Sequence, residues 1–431
     1  MSDGPLNDTA DKPTACQLDK TLVAFLLPEH SDNLDIAAFP IAPNGVSALN
    51  RAFFVVTTTS LVPTRHHKHP RFLSDSMAKI ARLSGFRALS VALGLSSVIL
   101  ASGPSYATPT LVVDVQTLQV LQADEEGHLW YPASTTKLMT AFVVMESLRA
   151  GRVSMDTPVI LSPNALRQKF LNSGLGTGSA MSLEDALFAL IAGSANDVAV
   201  ALAETVAGSE EAFVQMMNDA AKDLGMNASH FANPNGLFDK SQHSSARDLA
   251  ILGVAITKRF PQYQQIFKVS RVLIDGKRVD SHNKLLTGFQ GTVGMKTGFL
   301  CAAGQNIVAL AEREGRKVLV VVLGATTERE RNERAAQLFS QAFADQLDPK
   351  GVDLAAIAND RDSRPEDMRL KLCSNQTAAY EQKQEALYPF GLPGHITYLN
   401  DIAVSETHII RTWKVAPFGT VPVPSRRPVT E

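Results

Sequence analysis

The chain has 431 residues, 45% of them hydrophobic and 19% charged, with a formal net charge of -2. That length suits two or three domains, or one large domain with appendages, and the composition is that of a globular protein. The near-neutral balance, with no basic block, argues against a nucleic-acid partner. The three cysteines, Cys16, Cys301 and Cys373, form no C-x-x-C pair, which argues against a zinc site or a dithiol motif.

Residues 1–76 are rich in Pro, Asp, Thr and His and show no hydrophobic period. The tract Arg65, His66, His67, Lys68, His69 has metal-binding composition but reads equally as solvated chain. A short basic segment follows at 77–87, then an apolar run at 88–101, then small residues at Ser105 and Ala107. This is the order of a secretory signal peptide, and the run is shorter than the roughly 18 apolar residues of a membrane span. The expectation is a signal peptide at 77–107, a periplasmic mature chain starting at Thr108, and a translation start at Met77 that leaves 1–76 as a non-structural upstream extension.

Residues 110–114 and 118–122 read as two short strands. A helix opens near Ser134 and runs to about 148; Leu138, Met139, Ala141, Phe142, Val144 and Met145 leave it little polar face, so it should be central. Gly151 ends it. A second helix starts at the Ser182/Asp185 capping box and runs to about 191. Helices over 197–206 and 210–224 follow, and the Ser245/Asp248 capping box opens another over 249–256. The period then changes: 294–298, 306–312 and 317–323 read as strands, and 329–344 as a closing amphipathic helix. Strands at both ends with helices between predict an α/β fold of the α+β type, an antiparallel sheet flanked by helices with a helical insertion. The catalytic domain is expected over 108–345. Residues 346–431, broken by Pro365, Pro389, Pro393 and the prolines from 417 to 428, are expected to form a loosely ordered extension with no amphipathic helix for a membrane surface.

Three short strings carry the chemistry. Ser134-x-x-Lys137 puts a hydroxyl and an amine on one face of a helix start. Serine becomes a nucleophile when a base takes its proton, and lysine is that base only when burial or a neighbouring cation lowers its pKa. Ser194-x-Asn196 lies between two helices and offers a hydroxyl and a carboxamide. Lys296-Thr297-Gly298 lies on a strand, where an extended peptide can pair by β-addition, a glycine admits its backbone, and a cation and a hydroxyl meet a carboxylate. Each string alone is an ordinary helix cap or strand end. Their joint occurrence in this order points to serine acyl transfer.

The sequence resembles the serine-type D-alanyl-D-alanine carboxypeptidases, the low-molecular-mass penicillin-binding proteins. The likeness covers about 108–345. It is carried by Tyr131-Pro-Ala-Ser-Thr-Thr-Lys137, by 193–204 around Ser194 and Asn196, by 236–239 with 243–249, and by 291–299 around Lys296. The resemblance implies a β-lactamase/DD-peptidase-like fold and a serine DD-carboxypeptidase that removes terminal D-alanine from peptidoglycan stem peptides and is inhibited by β-lactams. By position it implies Ser134 as nucleophile, Lys137 as its base, and Ser194 and Asn196 for proton transfer and alignment. It implies Lys296, Thr297 and Arg331 for the substrate carboxylate, with Arg329 and Arg334 close enough in sequence to be confused with Arg331. The backbone N–H groups of Ser134 and Phe299 would form the oxyanion hole, beside Gly298. His243 would lie near the cleft, or be a structural histidine. No metal or cofactor is implied.

Two features depart from the family. Ala195 stands where Cys or Gly is common, and 346–431 resembles neither the C-terminal β-domain nor the amphipathic anchor of many members, which leaves membrane association in doubt. The alternatives are a DD-endopeptidase, a β-lactamase and a non-catalytic penicillin-binding sensor. A class A β-lactamase needs a glutamate to activate water, and no glutamate occurs between Glu211 and Glu312. Cys301 and Cys373 are candidates for a disulfide after export, or are two buried thiols.

Overall fold

The computed structural model describes residues 108–349, 351–400 and 402–415. The expected upstream segment and signal peptide, and residues 416–431, lie outside them. Two strands, β1 (Thr110–Asp114) and β2 (Val120–Asp124), open the described chain. A single 3-10 turn, Ala133–Thr136, leads into α1 (Lys137–Arg149), and Gly151, at φ 67°, reverses the chain after it. Next come β3 (Pro158–Ile160), β4 (Ser179–Ser182), α2 (Leu183–Ile191), α3 (Asn196–Ala207), α4 (Glu210–Asp223) and α5 (Ala246–Arg259). The short elements α6 (Gln265–Lys268), β5 (Arg271–Ile274), β6 (Lys277–Asp280) and α7 (Leu285–Gly288) lead to three long strands, β7 (Thr292–Leu300), β8 (Gly304–Arg313) and β9 (Arg316–Ala325). Helix α8 (Glu328–Phe343) follows, then α9 (Arg369–Leu372), α10 (Thr377–Leu387), β10 (Thr407–Ile410) and β11 (Trp413–Lys414).

The main sheet has the order β2-β1-β9-β8-β7, all neighbours antiparallel. Both its faces are covered, so β9 is apolar without interruption from Val318 to Leu323. Val112, Ile307, Val320 and Val322 face Ala335 and Phe339 of α8. Leu111, Val113, Val308, Leu319 and Val321 face the other way, into the larger core with Leu138, Phe142 and Leu252. Each such side chain, fully buried, stabilises the fold by roughly 1.5–3 kcal/mol. The α+β fold with an antiparallel sheet assembled from both ends of the domain is as the sequence leads one to expect.

The helix starts follow their caps. Ser182, Ser209, Ser245 and Thr327 accept from the backbone N–H groups of Asp185, Ala212, Asp248 and Glu330 at 3.0–3.1 Å. The Ser182 hydroxyl plays its capping-box part, while the Asp185 carboxylate bonds His408 Nε2 at 2.7 Å.

His408 belongs to the segment expected to form a loosely ordered extension; its described parts, 351–400 and 402–415, include α9, α10, β10 and β11. Strand β10 pairs in parallel with β5, and β11 pairs antiparallel with β4. Met368 and Ile410 are fully buried. The His408 ring stacks on Phe188, with centroids 3.6 Å apart. The extension thus makes strand pairs and buried contacts with the helical and sheet parts, beside its own α9–α10 and Phe390–Tyr398 contacts. Among the described residues no helix is long and apolar enough to cross a membrane.

Candidate active site

Ser134 sits in the 3-10 turn that starts α1, and the sheet fixes that turn. Asn306 of β8 donates to the carbonyl oxygens of Tyr131 and Pro132 at 2.9 and 3.2 Å, and its Oδ1 accepts from Gly324 N at 2.9 Å. The fit is tight enough to demand glycine at two places. A Cβ on Gly298 of β7 would lie 2.8 Å from Ser134 N and 3.0 Å from Thr135 N. A Cβ on Gly236, at φ 83°, would lie 2.0 Å from the Ala133 carbonyl oxygen. Backbone, not flexible side chain, is the obstacle in both cases.

Lys137 is completely buried at the first position of α1. Its Nζ lies 3.1 Å from Ser134 Oγ, 2.7 Å from Asn196 Oδ1 and 2.5 Å from the Asn235 carbonyl oxygen. Burial pushes its pKa well below that of an ordinary lysine; the Lys296 cation adds to this and Asp197 opposes it. A neutral amine has two N–H bonds and one lone pair. Asn196 and Asn235 take the two N–H bonds, which leaves the lone pair for the serine proton.

Ser194 lies between α2 and α3 with φ at 54°, which turns its hydroxyl back onto the sheet, where it accepts from Lys296 Nζ at 3.0 Å. Asn196 is the first residue of α3. One end of its amide holds Lys137, and the other donates to the Lys169 carbonyl at 2.9 Å. Lys296, on the edge strand β7, is 2% exposed, and burial together with the Arg331 charge brings its pKa down to about 7. Arg331 is also 2% exposed and donates to Gln305 Oε1 and the His282 carbonyl, both at 2.7 Å, with Glu328 3.3 Å away. Its Nε is buried with no hydrogen-bond partner. Burial lowers its pKa to about 10 against the pull of Glu328, so it remains cationic at neutral pH.

These groups surround a cleft of about 580 Å³ lined by Ser134, Ser194, Asn196, Thr297, Gly298, Phe299 and Arg331, with Lys137 and Lys296 beneath its floor. Every residue expected at the site is thus at the cleft or directly bonded to a group that lines it. Of the three neighbouring arginines, Arg331 faces the cleft; Arg329 donates to the Tyr388 and Phe390 carbonyls, and Arg334 to Thr108 and Thr110. His243 is outside the lining: its backbone pairs with His230, and its Nδ1 lies 2.7 Å from the Ser241 carbonyl. Leu237, in the stretch 236–239 that the resemblance places at the cleft rim, lines it; sequence reasoning missed the Asn235 carbonyl and the lining residues Phe170, Leu171, His282, Gln305 and Glu328. A backbone carbonyl has no side-chain signature, Glu328 opens α8 as an ordinary first-turn acid, and the others sit in loops or strand ends without period.

Cys301, at the end of β7, lines the same cleft and is joined to Cys373 by a disulfide with a Cα–Cα distance of 5.7 Å. The Met368 N–H donates to the Ala302 carbonyl at 3.1 Å, and the Arg369 guanidinium lies 4.0 Å over the Phe238 ring. The extension is therefore anchored at the cleft rim.

Residues 101–327 match the family model described as D-alanyl-D-alanine carboxypeptidase. The chain is 36% identical over 259 residues to D-alanyl-D-alanine carboxypeptidase DacD of Salmonella typhimurium, covering 58% of this chain and 66% of that one. It is 32% identical over 246 residues to DacF of Bacillus subtilis, covering 55% of this chain and 62% of that one. The chain thus spans slightly less than two thirds of these curated relatives. Among solved structures, penicillin-binding protein D2 of Listeria monocytogenes in its ampicillin-bound form superposes with a TM-score of 0.51 at 30% identity, over 55% of this chain and 97% of that one.

Proposed function

The chain belongs to the D-alanyl-D-alanine carboxypeptidase family, and from that membership we propose that it is an exported serine DD-carboxypeptidase acting on peptidoglycan stem peptides. The observation that carries the reading is the Lys137 amine, its pKa pushed well below that of an ordinary lysine by burial, set 3.1 Å from Ser134 Oγ. Lys137 takes the serine proton as Oγ attacks the carbonyl carbon between the two terminal D-alanines. The tetrahedral oxyanion sits against the backbone N–H groups of Ser134 and Phe299, at the positive end of the helix start. Ser194, bonded to Lys296, gives its proton to the leaving amine and is reprotonated with the proton that Lys137 took, so Lys137 is neutral again. D-alanine departs, and water activated by Lys137 cleaves the acyl ester, returning the proton to Ser134 Oγ.

Lys296, Thr297 and Arg331 hold the terminal carboxylate in this reading. The unpartnered Nε of Arg331 and its net charge beside the cleft support that role. A β-lactam carries a carboxylate beside a reactive amide and enters as a substrate mimic; the superposed Listeria protein binds ampicillin. Export rests on the signal-like segment 77–107 and is supported by the disulfide, which persists in oxidising compartments. The glutamate that lines the cleft, Glu328, is engaged with Arg331. The reading therefore places the chain with slowly deacylating penicillin binders rather than with class A β-lactamases.

The test is release of D-alanine from diacetyl-Lys-D-Ala-D-Ala by the purified chain starting at Thr108. The wild type should release it and be labelled stably by a fluorescent penicillin, and Ser134→Ala should do neither. A wild type that releases no D-alanine, or a Ser134→Ala variant that still does, overturns the assignment.

A further inference from the structure

Phe170 has no structural reason to be where it is. Its side chain is 81% exposed, yet it lines the cleft, and its backbone has φ 68°, a conformation that costs a bulky residue free energy. The loop around it is firmly held. Asn196 Nδ2 donates to the Lys169 carbonyl at 2.9 Å, and Asn196 N donates to the Leu171 carbonyl at 2.7 Å. The buried Asp197 carboxylate accepts from Ser173 N and Oγ at 2.9 and 2.6 Å. Asn235 Nδ2 donates to Gln168 Oε1 at 2.8 Å. The same asparagine that holds Lys137 thus fixes the backbone on both sides of Phe170.

A phenyl ring presented to water on a pinned loop is a preformed contact without its partner. Two further apolar groups line the same cleft: Leu171, 46% exposed, and Phe299 of β7, 47% exposed. Phe170 and Leu171 come from the helical part and Phe299 from the sheet edge. The cleft therefore has an apolar mouth above a floor of cations.

We propose that Phe170, with Leu171 and Phe299, forms a specificity subsite for the methylene stem of the side chain that precedes the two D-alanines. The proposal rests on the reading of this cleft as a DD-peptidase site. The occupant follows by chemistry. The terminal carboxylate is met by Lys296, Thr297 and Arg331, and the D-alanine side chains are methyls, too small to need three large apolar groups. The sizeable apolar surface left on such a peptide is the stem of the preceding diamino acid or lysine. A long methylene stem lies well on an aromatic face while its polar end stays in water.

The experiment compares Phe170→Ala and Phe170→Leu with the wild type on two peptides, diacetyl-Lys-D-Ala-D-Ala and acetyl-Gly-D-Ala-D-Ala. It also compares acylation rates with benzylpenicillin and 6-aminopenicillanic acid, which differ by an apolar side chain. One apolar contact of this kind is worth about 10- to 100-fold in kcat/KM. Phe170→Ala should therefore reduce the Lys/Gly preference about 10-fold or more, with Phe170→Leu in between, and should reduce the benzylpenicillin preference in the same order. Equal losses on both members of each pair, or no loss, overturn the subsite. If the wild type releases no D-alanine, the carboxypeptidase reading fails while the two penicillins still report on Phe170.

Discussion

Two buried lysines share one small volume, and their charges decide what the site can do. Lys296 has a folded pKa of about 7, against 10.5 for the unfolded chain. Between those values the unfolded chain binds a proton that the folded chain does not, so stability rises with pH from about 7 towards 10. Below about 7 both states are protonated and the fold carries the full cost of the buried charge. Lys137 is shifted in the same direction. Lys296→Met should therefore be more stable than the wild type at pH 6, on the order of 2 kcal/mol, and should show a shallower rise of stability from pH 7 to 10. It should lose D-alanine release at the same time. Chemical unfolding at pH 6, 7.5 and 9 reads both effects; an unchanged slope with lower stability at pH 6 would contradict them. At this scale the sequence was informative where a side chain has a distinctive partner. Ser134, Lys137, Ser194 and Asn196 are polar residues in apolar surroundings at helix starts, Lys296 is one within a strand, and the structure brings them together. The Asn235 carbonyl and Phe170 have no comparable mark, because a carbonyl belongs to every residue and an exposed phenylalanine looks like any loop apolar.

At the scale of elements, the site is a contact between the start of a helix and the edge of a sheet, and glycine sets its closeness. Gly298→Ala puts a methyl 2.8 Å from Ser134 N, so β7 must move away from the 3-10 turn. A displacement approaching 1 Å costs on the order of 100-fold in rate. D-alanine release should fall by about that factor while the circular dichroism spectrum stays native; near-wild-type turnover would show that β7 yields without harm. Capped helices such as α2 and α5 were legible because a serine and an acid three residues on are a local signal. Strands β3, β5 and β6 were not, because three or four residues are too few to display an alternating period.

The whole molecule is closed by its last described segment. The extension reaches the cleft rim through Cys301–Cys373, which spans 72 residues of chain. Cys373→Ser should lower stability by roughly 2–4 kcal/mol. Adding a thiol reductant to the wild type should bring its unfolding midpoint to that of the variant, and equal midpoints with and without the bridge would show that it carries no stability. The cysteine pair was legible as a candidate bridge in the sequence; the strand pairings of the extension were not, because β10 and β11 find their partners in β5 and β4, more than a hundred residues earlier.

The pairing of β1 with β9 also sets a schedule. The first strand cannot enter the central sheet until residue 325 exists. At roughly 5–20 residues per second that interval is on the order of ten to forty seconds. Such long-range closure is intrinsically slow, so a growing chain remains without its core for most of its synthesis. For the export proposed above, a chain threaded unfolded through a narrow channel needs that delay, and this topology supplies it.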